Sequence, residues 1–451
     1  MAAKRVLIVG GVAAGTSAAA KAKRTNPDLN ITLYQREPFV AYSACGLPYF
    51  IGGAVPDHTA LIARTPAQFA RDGITVRTEH EVLDVDSAAG RITVRDLAAG
   101  TTFHDHYDHL VLATGAGVRC PPVPGIDLKG IFRLRSLVDG LAISQYLAER
   151  KPASAVVVGA GYIGIEMAEA FLGLGIRTTV VDLLDQVLGT VDSDMAALIE
   201  AAMREAGVAV HLGAKLEQLE GDAADRVTCV CSTGDTLGGE IVLLATGVTP
   251  NTELARAAGV ALGPRGAMLI DGLGRTNVER IYGAGDCCTV NHRVLDQPAY
   301  IPLGTTANKQ GRTLGAFLGG VERPFAGVVG SSVTKFRDVQ IASTGMSVTM
   351  ARQAGYAVRS QRIESTDHAG YYPNARPMHV KLVCDASSGK LLGGQIVGFE
   401  EVAKRVDILA VALATGMTVE ELAWSDLTYA PPVSSVWDPV LVAAQALAKS
   451  H

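Results

Sequence analysis

Residues 5–15, RVLIVGGVAAG, and residues 155–164, AVVVGAGYIG, decide the fold of this 451-residue chain. Each is an apolar, largely β-branched run that stops at a cluster of glycines and is followed by a helical segment and a second strand pattern. A strand that turns through glycines into a helix opens a βαβ unit, and its backbone N–H groups can hold the pyrophosphate of a dinucleotide. The repeat therefore predicts an α/β protein with two Rossmann-like dinucleotide-binding domains.

Three further patterns indicate how these units follow one another along the chain. Residues 107–115 and 241–247 have the pattern of buried strands that end in ATG, and residues 280–282 lead into GAGD. This order predicts that one nucleotide-binding domain is inserted into the other. Later strand patterns alternate with two helical stretches, which indicates a third domain of the α+β class. We expect the following division: 1–118 and 248–325, the first nucleotide-binding domain; 119–247, the inserted domain; 326–451, the C-terminal domain.

The composition narrows the class of protein. Hydrophobic residues make up 48% of the chain and the formal net charge is −5, so neither a nucleic-acid surface nor a polybasic membrane patch is indicated. No apolar run approaches the roughly 20 residues that a membrane helix needs, and the N-terminus lacks the layout of a signal peptide. The seven cysteines, an odd count without CxxC, argue against a disulfide framework. We expect a cytoplasmic protein without nucleic-acid, membrane or metal partners.

The first glycine turn departs from the standard motif, because Val12 occupies the middle glycine position. The next strand ends at Gln35, where a carboxylate for the adenosine ribose is expected, with Glu37 as a fallback. Glutamine can hydrogen-bond ribose hydroxyls but lacks the charge assistance of a carboxylate. Asp286 follows a GAG turn and is placed to bind the ribityl chain of a flavin. A glycine turn without a ligand is the alternative, but the series of patterns favours FAD in the first domain.

The second glycine turn keeps all three glycines, Gly159, Gly161 and Gly164. Asp182 ends the following strand, at about the distance along the chain where a ribose-binding carboxylate is expected. Between Asp182 and Glu200 there is no lysine or arginine to bind a 2′-phosphate. The sequence therefore predicts NADH rather than NADPH in the inserted domain, with NADPH as the alternative.

Cys45 is the candidate reactive thiol. It lies in residues 41–50, AYSACGLPYF, just after the second strand of the first unit. If a helix starts there, its field and exposed N–H groups lower the pKa of the thiol. An ordinary buried cysteine is the alternative, but the position within a flavin domain favours a thiol that accepts electrons from the flavin.

Other clusters of histidine and cysteine are interpreted as structural. The three histidines near residue 106 alternate with aspartates, which is typical of a solvated strand rather than a metal site. Two pairs of cysteines have no evident partners, and we expect at least the second pair to be packed. The residues concerned are His104, His106 and His109, then Cys229 with Cys231 and Cys287 with Cys288.

With these residues in hand, the whole chain resembles the pyridine nucleotide-disulfide oxidoreductases. It is most similar to their single-cysteine branch, which contains coenzyme A disulfide reductases, coenzyme A persulfide or polysulfide reductases, and NADH oxidases and peroxidases. The second redox cysteine of the glutathione reductase branch corresponds to Phe50 here, and no catalytic histidine precedes His451. The histidine of oxidases and peroxidases corresponds to Ala13. The resemblance implies FAD, NADH, a homodimer with active sites shared across the interface, and a C-terminal dimerisation domain.

The resemblance also implies catalytic residues besides Cys45. Residues 371–373 (YYP) and 427–432 (LTYAPP) resemble two catalytic tyrosine segments of coenzyme A disulfide reductases. By that match Tyr371 and Tyr429 reach the active site of the partner subunit, where a hydroxyl can protonate a leaving thiolate; a packed tyrosine is the alternative for Tyr429. The usual serine of the cysteine loop is Ala41 here, so the substrate can differ from coenzyme A disulfide.

Two sets of binding residues follow from the motifs and the resemblance. For a coenzyme A substrate, the candidates are Ser43, Lys21, Lys23, Arg24 and Arg64, with plain surface charge as the alternative for the basic ones. Glu166 resembles the family glutamate near the nicotinamide. For the two cofactors together, we expect Gly10, Gly11, Ala14, Gly15, Gln35, Arg36, Val82, Ala113, Thr114, Gly115, Gly159, Gly161, Tyr162, Ile163, Gly164, Glu166, Asp182, Gly247, Gly285, Asp286 and Ala307.

The expected reaction runs from NADH through FAD to Cys45 and on to a small disulfide. Because Cys45 has no second cysteine beside it, a small thiol such as coenzyme A would form the mixed disulfide in its place. The alternatives are an NADH oxidase with oxygen as the acceptor, a flavin electron carrier similar to ferredoxin reductases, and a non-enzymatic FAD-binding interaction protein. The physiological acceptor stays open at this point.

Overall fold

The computed structural model describes residues 4–222 and 226–449. The strands before residue 119 are β1 Arg5–Val9, β2 Asn30–Tyr34, β3 Ile74–Arg77, β4 His80–Asp86, β5 Arg91–Asp96, β6 Thr102–His106, β7 His109–Leu112 and β8 Ala116–Val118. Those up to residue 247 are β9 Ile131–Arg133, β10 Ser154–Val158, β11 Arg177–Val181, β12 Ala209–His211, β13 Leu216–Gly221, β14 Val227–Cys231, β15 Thr236–Gly239 and β16 Ile241–Leu244. The later strands are β17 Val248–Pro250, β18 Ile281–Gly283, β19 Val290–His292, β20 Gln297–Ala299, β21 Ser332–Phe336, β22 Val339–Gly345, β23 Val358–Thr366, β24 Pro377–Asp385 and β25 Leu391–Gly398.

The helices connect these strands in the same order. They are α1 Ala14–Thr25, α2 Leu47–Ile51, α3 Pro66–Arg71, α4 Leu137–Arg150, α5 Tyr162–Gly173, α6 Ser193–Glu205, α7 Glu253–Ala257, α8 Gly304–Leu318, α9 Val348–Gln353, α10 Val402–Thr415, α11 Val419–Ala423 and α12 Pro439–Lys449. No helix in the described part of the chain is long and apolar enough to cross a membrane.

The first sheet combines strands from both sides of the inserted segment. Its order is β18-β7-β1-β2-β3, and all neighbours run parallel. Val6 and Ile8 pack on one face with α1 and α8, whereas Leu7 and Val9 pack on the other with the antiparallel sheet β4-β5-β6. A parallel strand buried on both faces has a continuous apolar sequence, which explains the pattern of β1.

The inserted segment repeats this arrangement. Its parallel sheet has the order β12-β11-β10-β16-β9, and the antiparallel sheet β13-β14-β15 covers one face. Strands β10, β11 and β16 therefore take the places of β1, β2 and β7. The chain crosses between the two units twice, and the crossing strands β8 and β17 pair antiparallel. This architecture confirms the predicted duplication and insertion, while the exact domain limits stay a prediction.

The C-terminal part forms a separate layered unit. An antiparallel sheet of order β21-β22-β25-β24-β23 carries helices α10 and α12 against its buried strands. Strand β25 is buried along its whole length, and α10 packs against it so closely that a Cβ at Gly394 would meet Leu409. The predicted α+β class of this unit is confirmed.

Candidate functional site

The first glycine turn is fixed by backbone contacts. Gly10 has φ +105°, and a Cβ there would collide with the carbonyl of Ala113. A Cβ at Gly15 would collide with the Gly10 carbonyl. The ATG segment thus packs directly under the turn, and α1 starts at Ala14, so its N-terminal N–H groups are free for an anion. This is the strand–turn–helix context that the sequence predicted.

The two dinucleotide turns are held in the same way by the residue at the end of the next strand. The N–H of Gly11 donates to Oε1 of Gln35 at 2.8 Å. The N–H of Ala160 donates to Oδ2 of Asp182 at 2.5 Å. Gln35 therefore occupies the place of the ribose-binding acid and supports the turn without a charge. Its contact with a ribose stays a prediction.

The second turn leaves room that protein atoms do not fill. Cβ atoms at Gly159 and Gly164 would collide with the carbonyls of Ala245 and Gly159, so packing requires both glycines. A Cβ at Gly161 would meet no atom of the described chain within 4 Å. Packing therefore does not explain Gly161, whereas the close approach of a pyrophosphate does. The turn fits a nicotinamide dinucleotide.

The first domain contains buried polar atoms that suit a flavin. The hydroxyls of Tyr300 and Thr306 are buried and have no hydrogen-bond partner among the described residues. The charge of Asp286 acts on Tyr300 and raises its pKa, after the larger effect of burial. Buried hydroxyls without partners are costly, so these two hydroxyls, of which that of Tyr300 lies near Asp286, fit a polar cofactor. Gly285, with φ +90°, brings the backbone close to Ala14 at the first turn.

Arg135 is a charged residue of this site that the sequence analysis missed. Its Nη2 lies 2.6 Å from Oδ2 of Asp286, and its Nε donates to the Ala116 carbonyl at 2.7 Å. Arg135 is far along the chain from Tyr300 and Thr306, which lie close together in sequence. Only Thr306 gave a sequence signal, since it precedes the candidate Ala307.

Cys45 lies in a 3-10 turn, Ala44–Gly46, just before α2, and it is exposed. The surrounding chain still desolvates the thiol and raises its pKa, and the negative charges of Glu166 and Asp286 raise it further. Arg135 acts in the opposite direction. The expected lowering of the pKa is therefore wrong, because a five-residue helix is outweighed by desolvation and two acids.

Glu166 lies close enough to Cys45 for its charge to act on the thiol, while its contact with a nicotinamide stays a prediction. It lies on α5, and Thr334 Oγ1 donates to its Oε1 at 3.4 Å. Burial raises the pKa of Glu166 to about 7, and the neighbouring Glu169 adds to the effect. The Tyr162 hydroxyl at the start of α5 hydrogen-bonds the Ser332 hydroxyl at 2.6 Å. The second glycine turn thus contacts β21 of the C-terminal unit.

The two candidate tyrosines lie together although 58 residues separate them in sequence. Their hydroxyls are 3.2 Å apart. The side chains are 77% exposed at Tyr371 and 45% exposed at Tyr429, so a packed interior position, the alternative for Tyr429, does not describe it. Neighbouring loops expose further apolar side chains, namely Tyr372, Trp424, Val433, Val436 and Trp437.

Two of the basic substrate candidates are paired within the protein, and a third lies away from the first glycine turn. Lys23 donates to the carbonyls of Pro27 and Leu29, and Arg24 lies about 15 Å along α1 from its first residue. Arg64 pairs with Asp72 at 2.5 Å and stacks on Phe69. Of this set, Ser43 lies beside Cys45 and is exposed. Their roles toward a substrate remain predictions.

Of two further cofactor candidates, one is buried and one is exposed. Val82 is buried in the apolar core, and Arg36 is exposed with a long ion pair to Glu81 at 3.9 Å. The sulfurs of Cys287 and Cys288 are 3.8 Å apart and buried, so this pair is packed, as expected. Gly115 and Gly247 end the ATG segments with positive φ, and Ile163 lies in the first turn of α5.

Comparisons with known proteins agree with this site. Residues 4–311 match the pyridine nucleotide-disulphide oxidoreductase family, and residues 331–440 match the dimerisation domain of that family. The chain is 36% identical over 451 residues to the NAD(P)H coenzyme A polysulfide/persulfide reductase of Pyrococcus horikoshii, covering 98% of each chain. It is 37% identical over 443 residues to an NADH oxidase of Methanocaldococcus jannaschii, again covering 98% of each. The crystal structure of reduced CoADR-RHD from Bacillus anthracis superposes with a TM-score of 0.96 at 33% identity, covering 99% of this chain and 80% of that one.

The match extends over both nucleotide-binding units and the C-terminal unit, and the motifs lie where the geometry needs them. The chain belongs to the pyridine nucleotide-disulphide oxidoreductases, as an enzyme that uses FAD and NAD(P)H.

Proposed function

We propose that this enzyme uses NADH to reduce the sulfur–sulfur bond of a coenzyme A disulfide or persulfide through Cys45. The observation that carries the proposal is a single exposed thiol beside Glu166 and Asp286, with Phe50 where a resolving cysteine would stand. Of the other cysteines, Cys120 is half-buried and the rest are buried. A thiol without an internal partner needs an external one to complete a disulfide cycle.

Cys45 attacks the disulfide as a thiolate. Its sulfur bonds to one sulfur of the substrate, the substrate S–S bond breaks, and the second sulfur leaves as a thiolate that takes up a proton. The raised pKa of Cys45 makes the thiolate scarcer but a stronger nucleophile. FAD, when bound, supplies the two-electron chemistry that reduces the resulting mixed disulfide with electrons from NADH. Glu166 and Asp286 place negative charge near the sulfur, which favours departure of the released thiolate.

The proton for the leaving thiolate comes, in this proposal, from the Tyr371–Tyr429 pair of a partner subunit. Two hydroxyls 3.2 Å apart on an exposed surface form a donor with a ready hydrogen-bond acceptor behind it. The exposed apolar side chains around them suit a protein interface. We accordingly propose a homodimer with shared active sites. Because all seven cysteines are free thiols, we propose the cytoplasm as its compartment.

NADH is the proposed electron donor. The Asp182 carboxylate accepts from the N–H groups of Ala160 and Leu184, which fixes a negative charge where a 2′-phosphate would approach. A fixed carboxylate repels that phosphate and can accept from ribose hydroxyls. NADPH use remains the second possibility within the family assignment.

A thiol-dependent reaction is tested by replacing Cys45. The Cys45→Ser variant should keep FAD and its reduction by NADH but lose nearly all turnover with coenzyme A disulfide and with coenzyme A persulfide. Cys120→Ser, at a half-buried thiol, is the control and should turn over normally. Intact mass before and after reductant should show a labile adduct on the wild type and none on Cys45→Ser. Full disulfide turnover by Cys45→Ser would rule out the proposal.

An NADH oxidase is the competing function, because one relative of similar identity has that name. The first glycine turn places Ala13 where the oxidases of this family carry a histidine, which favours the sulfur substrate. Oxygen uptake in proportion to NADH consumed, at a rate that added disulfide does not raise, would favour the oxidase.

A further inference from the structure

The two catalytic-tyrosine candidates lie on separate loops of the C-terminal unit. We name them loop A, residues 367–376 between β23 and β24, and loop B, residues 424–438 between α11 and α12. Tyr371 lies on loop A and Tyr429 on loop B. Two hydrogen bonds join the loops directly at their tips: the tyrosine hydroxyls meet, and the Ala369 N–H donates to the Pro431 carbonyl at 3.3 Å. Since Tyr371 is 77% exposed, packing around its ring does little to hold it against Tyr429.

A single buried guanidinium connects the bases of the two loops. Arg405 lies on α10 and is only 4% exposed. Its Nε donates to Oδ2 of Asp438, the last residue of loop B, at 2.8 Å. Its Nη2 donates to the main-chain carbonyl of Asp367, the first residue of loop A, at 2.6 Å. One planar side chain thus sets the distance between the two loops.

The two residues that Arg405 contacts, Asp438 and Asp367, each make further hydrogen bonds near their own loop. The Asp438 carboxylate also accepts from the Ser434 hydroxyl at 3.2 Å and from the Val440 N–H at 2.9 Å. The Asp367 carboxylate accepts from the Arg376 N–H at 3.0 Å and lies 2.8 Å from Nδ1 of His368. Loop B is therefore anchored to the start of α12, and loop A is closed on itself across its base.

We propose that Arg405 is a positioning residue that sets the Tyr371–Tyr429 pair for the reaction. The proposal rests on the proposed function, in which this pair supplies a proton to the leaving thiolate. Arginine suits the role because its rigid planar fork reaches two acceptors in fixed directions. A lysine at the same place keeps the charge but concentrates its donors on one nitrogen, so it cannot reproduce both contacts.

The first test separates the two halves of the reaction. In the holoenzyme, Arg405→Lys should lower kcat for coenzyme A disulfide at least tenfold. Anaerobic reduction of the bound FAD by NADH should keep its wild-type rate, because that step uses neither loop. The control is Lys404→Gln on the same helix, an exposed residue that pairs with Asp407 and should behave as wild type. A parallel loss in both half-reactions would mark general damage to the fold and overturn the proposal.

A double-mutant cycle tests whether Arg405 acts through the tyrosines. Tyr429→Phe should lower kcat, and adding Arg405→Lys to it should lower kcat by less than twofold more. Independent, multiplicative effects would overturn the proposal. If Arg405→Lys does not yield folded dimer with FAD, Ser434→Ala replaces it, since that change weakens the Asp438 anchor and keeps the arginine. Wild-type kcat in Ser434→Ala together with a wild-type tyrosine titration would then contradict the proposal.

A titration that does not depend on turnover completes the test. The hydrogen bond between Tyr371 and Tyr429 raises the pKa of Tyr371. Tyrosinate absorbance, read as the difference between a protein and its Tyr371→Phe variant, should show this raised pKa in wild type and a lower one with Arg405→Lys. An unchanged titration with Arg405→Lys would overturn the positioning role. If wild type fails to reduce any coenzyme A substrate while the titration still shifts, the proposed function fails and the positioning stands.

Discussion

At the residue scale, Glu166 adds to the larger effect of burial on how readily Cys45 ionises. Its pKa is raised to about 7 by burial, and its charge is one of the groups that raise the pKa of Cys45. Below pH 7 Glu166 is largely protonated and neutral, so it has no charge that raises the pKa of Cys45. Above pH 7 it is ionised and opposes formation of the thiolate. The reactivity of Cys45 is thus held back in the pH range where the thiolate would otherwise accumulate.

Replacing Glu166 by glutamine should therefore speed alkylation of Cys45 only at the higher pH. We expect the rate with iodoacetamide, measured on the reduced protein, to rise about 2- to 5-fold above pH 8 and to match wild type near pH 6. Glu149→Gln is the control, since Glu149 is exposed on α4 and accepts a hydrogen bond from Gln145 on the same helix. An equal change at both pH values would show that Glu166 acts by shape rather than by charge.

Asp182 should decide the choice between the two nicotinamide cofactors. Asp182→Ala removes the charge that would repel a 2′-phosphate and the acceptor for two backbone N–H groups. We expect kcat/KM for NADH to fall about 10- to 100-fold, as for loss of a charged hydrogen bond, and the ratio of NADPH to NADH use to rise. Asp185→Ala, at an exposed aspartate on the same loop, should change neither. Steady-state kinetics with both cofactors measure the ratio, and an unchanged ratio would exclude Asp182 as the determinant.

At the scale of elements, we expect the glycines of the second turn to have two different roles, which are cofactor binding for Gly161 and packing for Gly164. Gly161 has φ −79°, which alanine adopts easily, and open space around its Cβ position. Gly161→Ala should therefore change the free energy of unfolding by less than about 1 kcal/mol yet weaken NADH binding at least tenfold. Gly164→Ala should instead lower the free energy of unfolding by about 1–3 kcal/mol, because its Cβ meets the Gly159 carbonyl. Thermal unfolding and NADH titration of the two variants check this, and equal stability losses would contradict it.

The parts of the site that lie within one stretch of sequence could be predicted, whereas contacts between residues far apart in the chain could not. The strand, glycine turn and helix around Gly10 and Gly159 are encoded within some twenty residues, so pattern alone predicts them. The Arg135–Asp286 pair joins residues 151 apart in the chain, and no periodicity signals such a contact. The pKa of Cys45 was predicted in the wrong direction for the same reason, since the chain that desolvates the thiol and the acids Glu166 and Asp286 come from other elements.

At the scale of the whole molecule, the repeated sequence pattern allowed the fold to be predicted. Two sheets with the same strand order follow from two copies of one sequence pattern, and the ATG strands of both copies confirm the insertion. The C-terminal unit lacked such a repeat, so its class was predicted but its contacts were not. The contacts between the inserted unit and the C-terminal unit combine apolar packing, in which Phe336, Ile341 and Val397 join the core of the inserted unit, with buried polar pairs. The polar pairs lie where α6 of the inserted unit meets β24 and β25.

Buried hydrogen bonds and ion pairs at this junction hold the inserted unit against the C-terminal unit. The N–H of Asp192 donates to Oε1 of Gln395, and Nε2 of Gln395 donates back to Oδ2 of Asp192, both at 2.9 Å. Lys381 lies 3.2 Å from the same carboxylate and 2.7 Å from that of Asp194. Gln395 is 2% exposed and Asp192 8%, so water cannot replace a lost partner at little cost.

Gln395→Ala should therefore lower the free energy of unfolding by about 1–3 kcal/mol, because it leaves a buried N–H and part of a buried carboxylate unpaired. It should also speed hydrogen exchange along α6 and around the second glycine turn. Gln340→Ala is the matched control, since Gln340 bonds the Phe399 carbonyl within the C-terminal unit. It should leave exchange in α6 unchanged. If both variants exchange alike in α6, the reciprocal amide contact does not hold the NAD-binding unit, and other contacts of this junction, among them the Lys381 ion pairs, hold it instead.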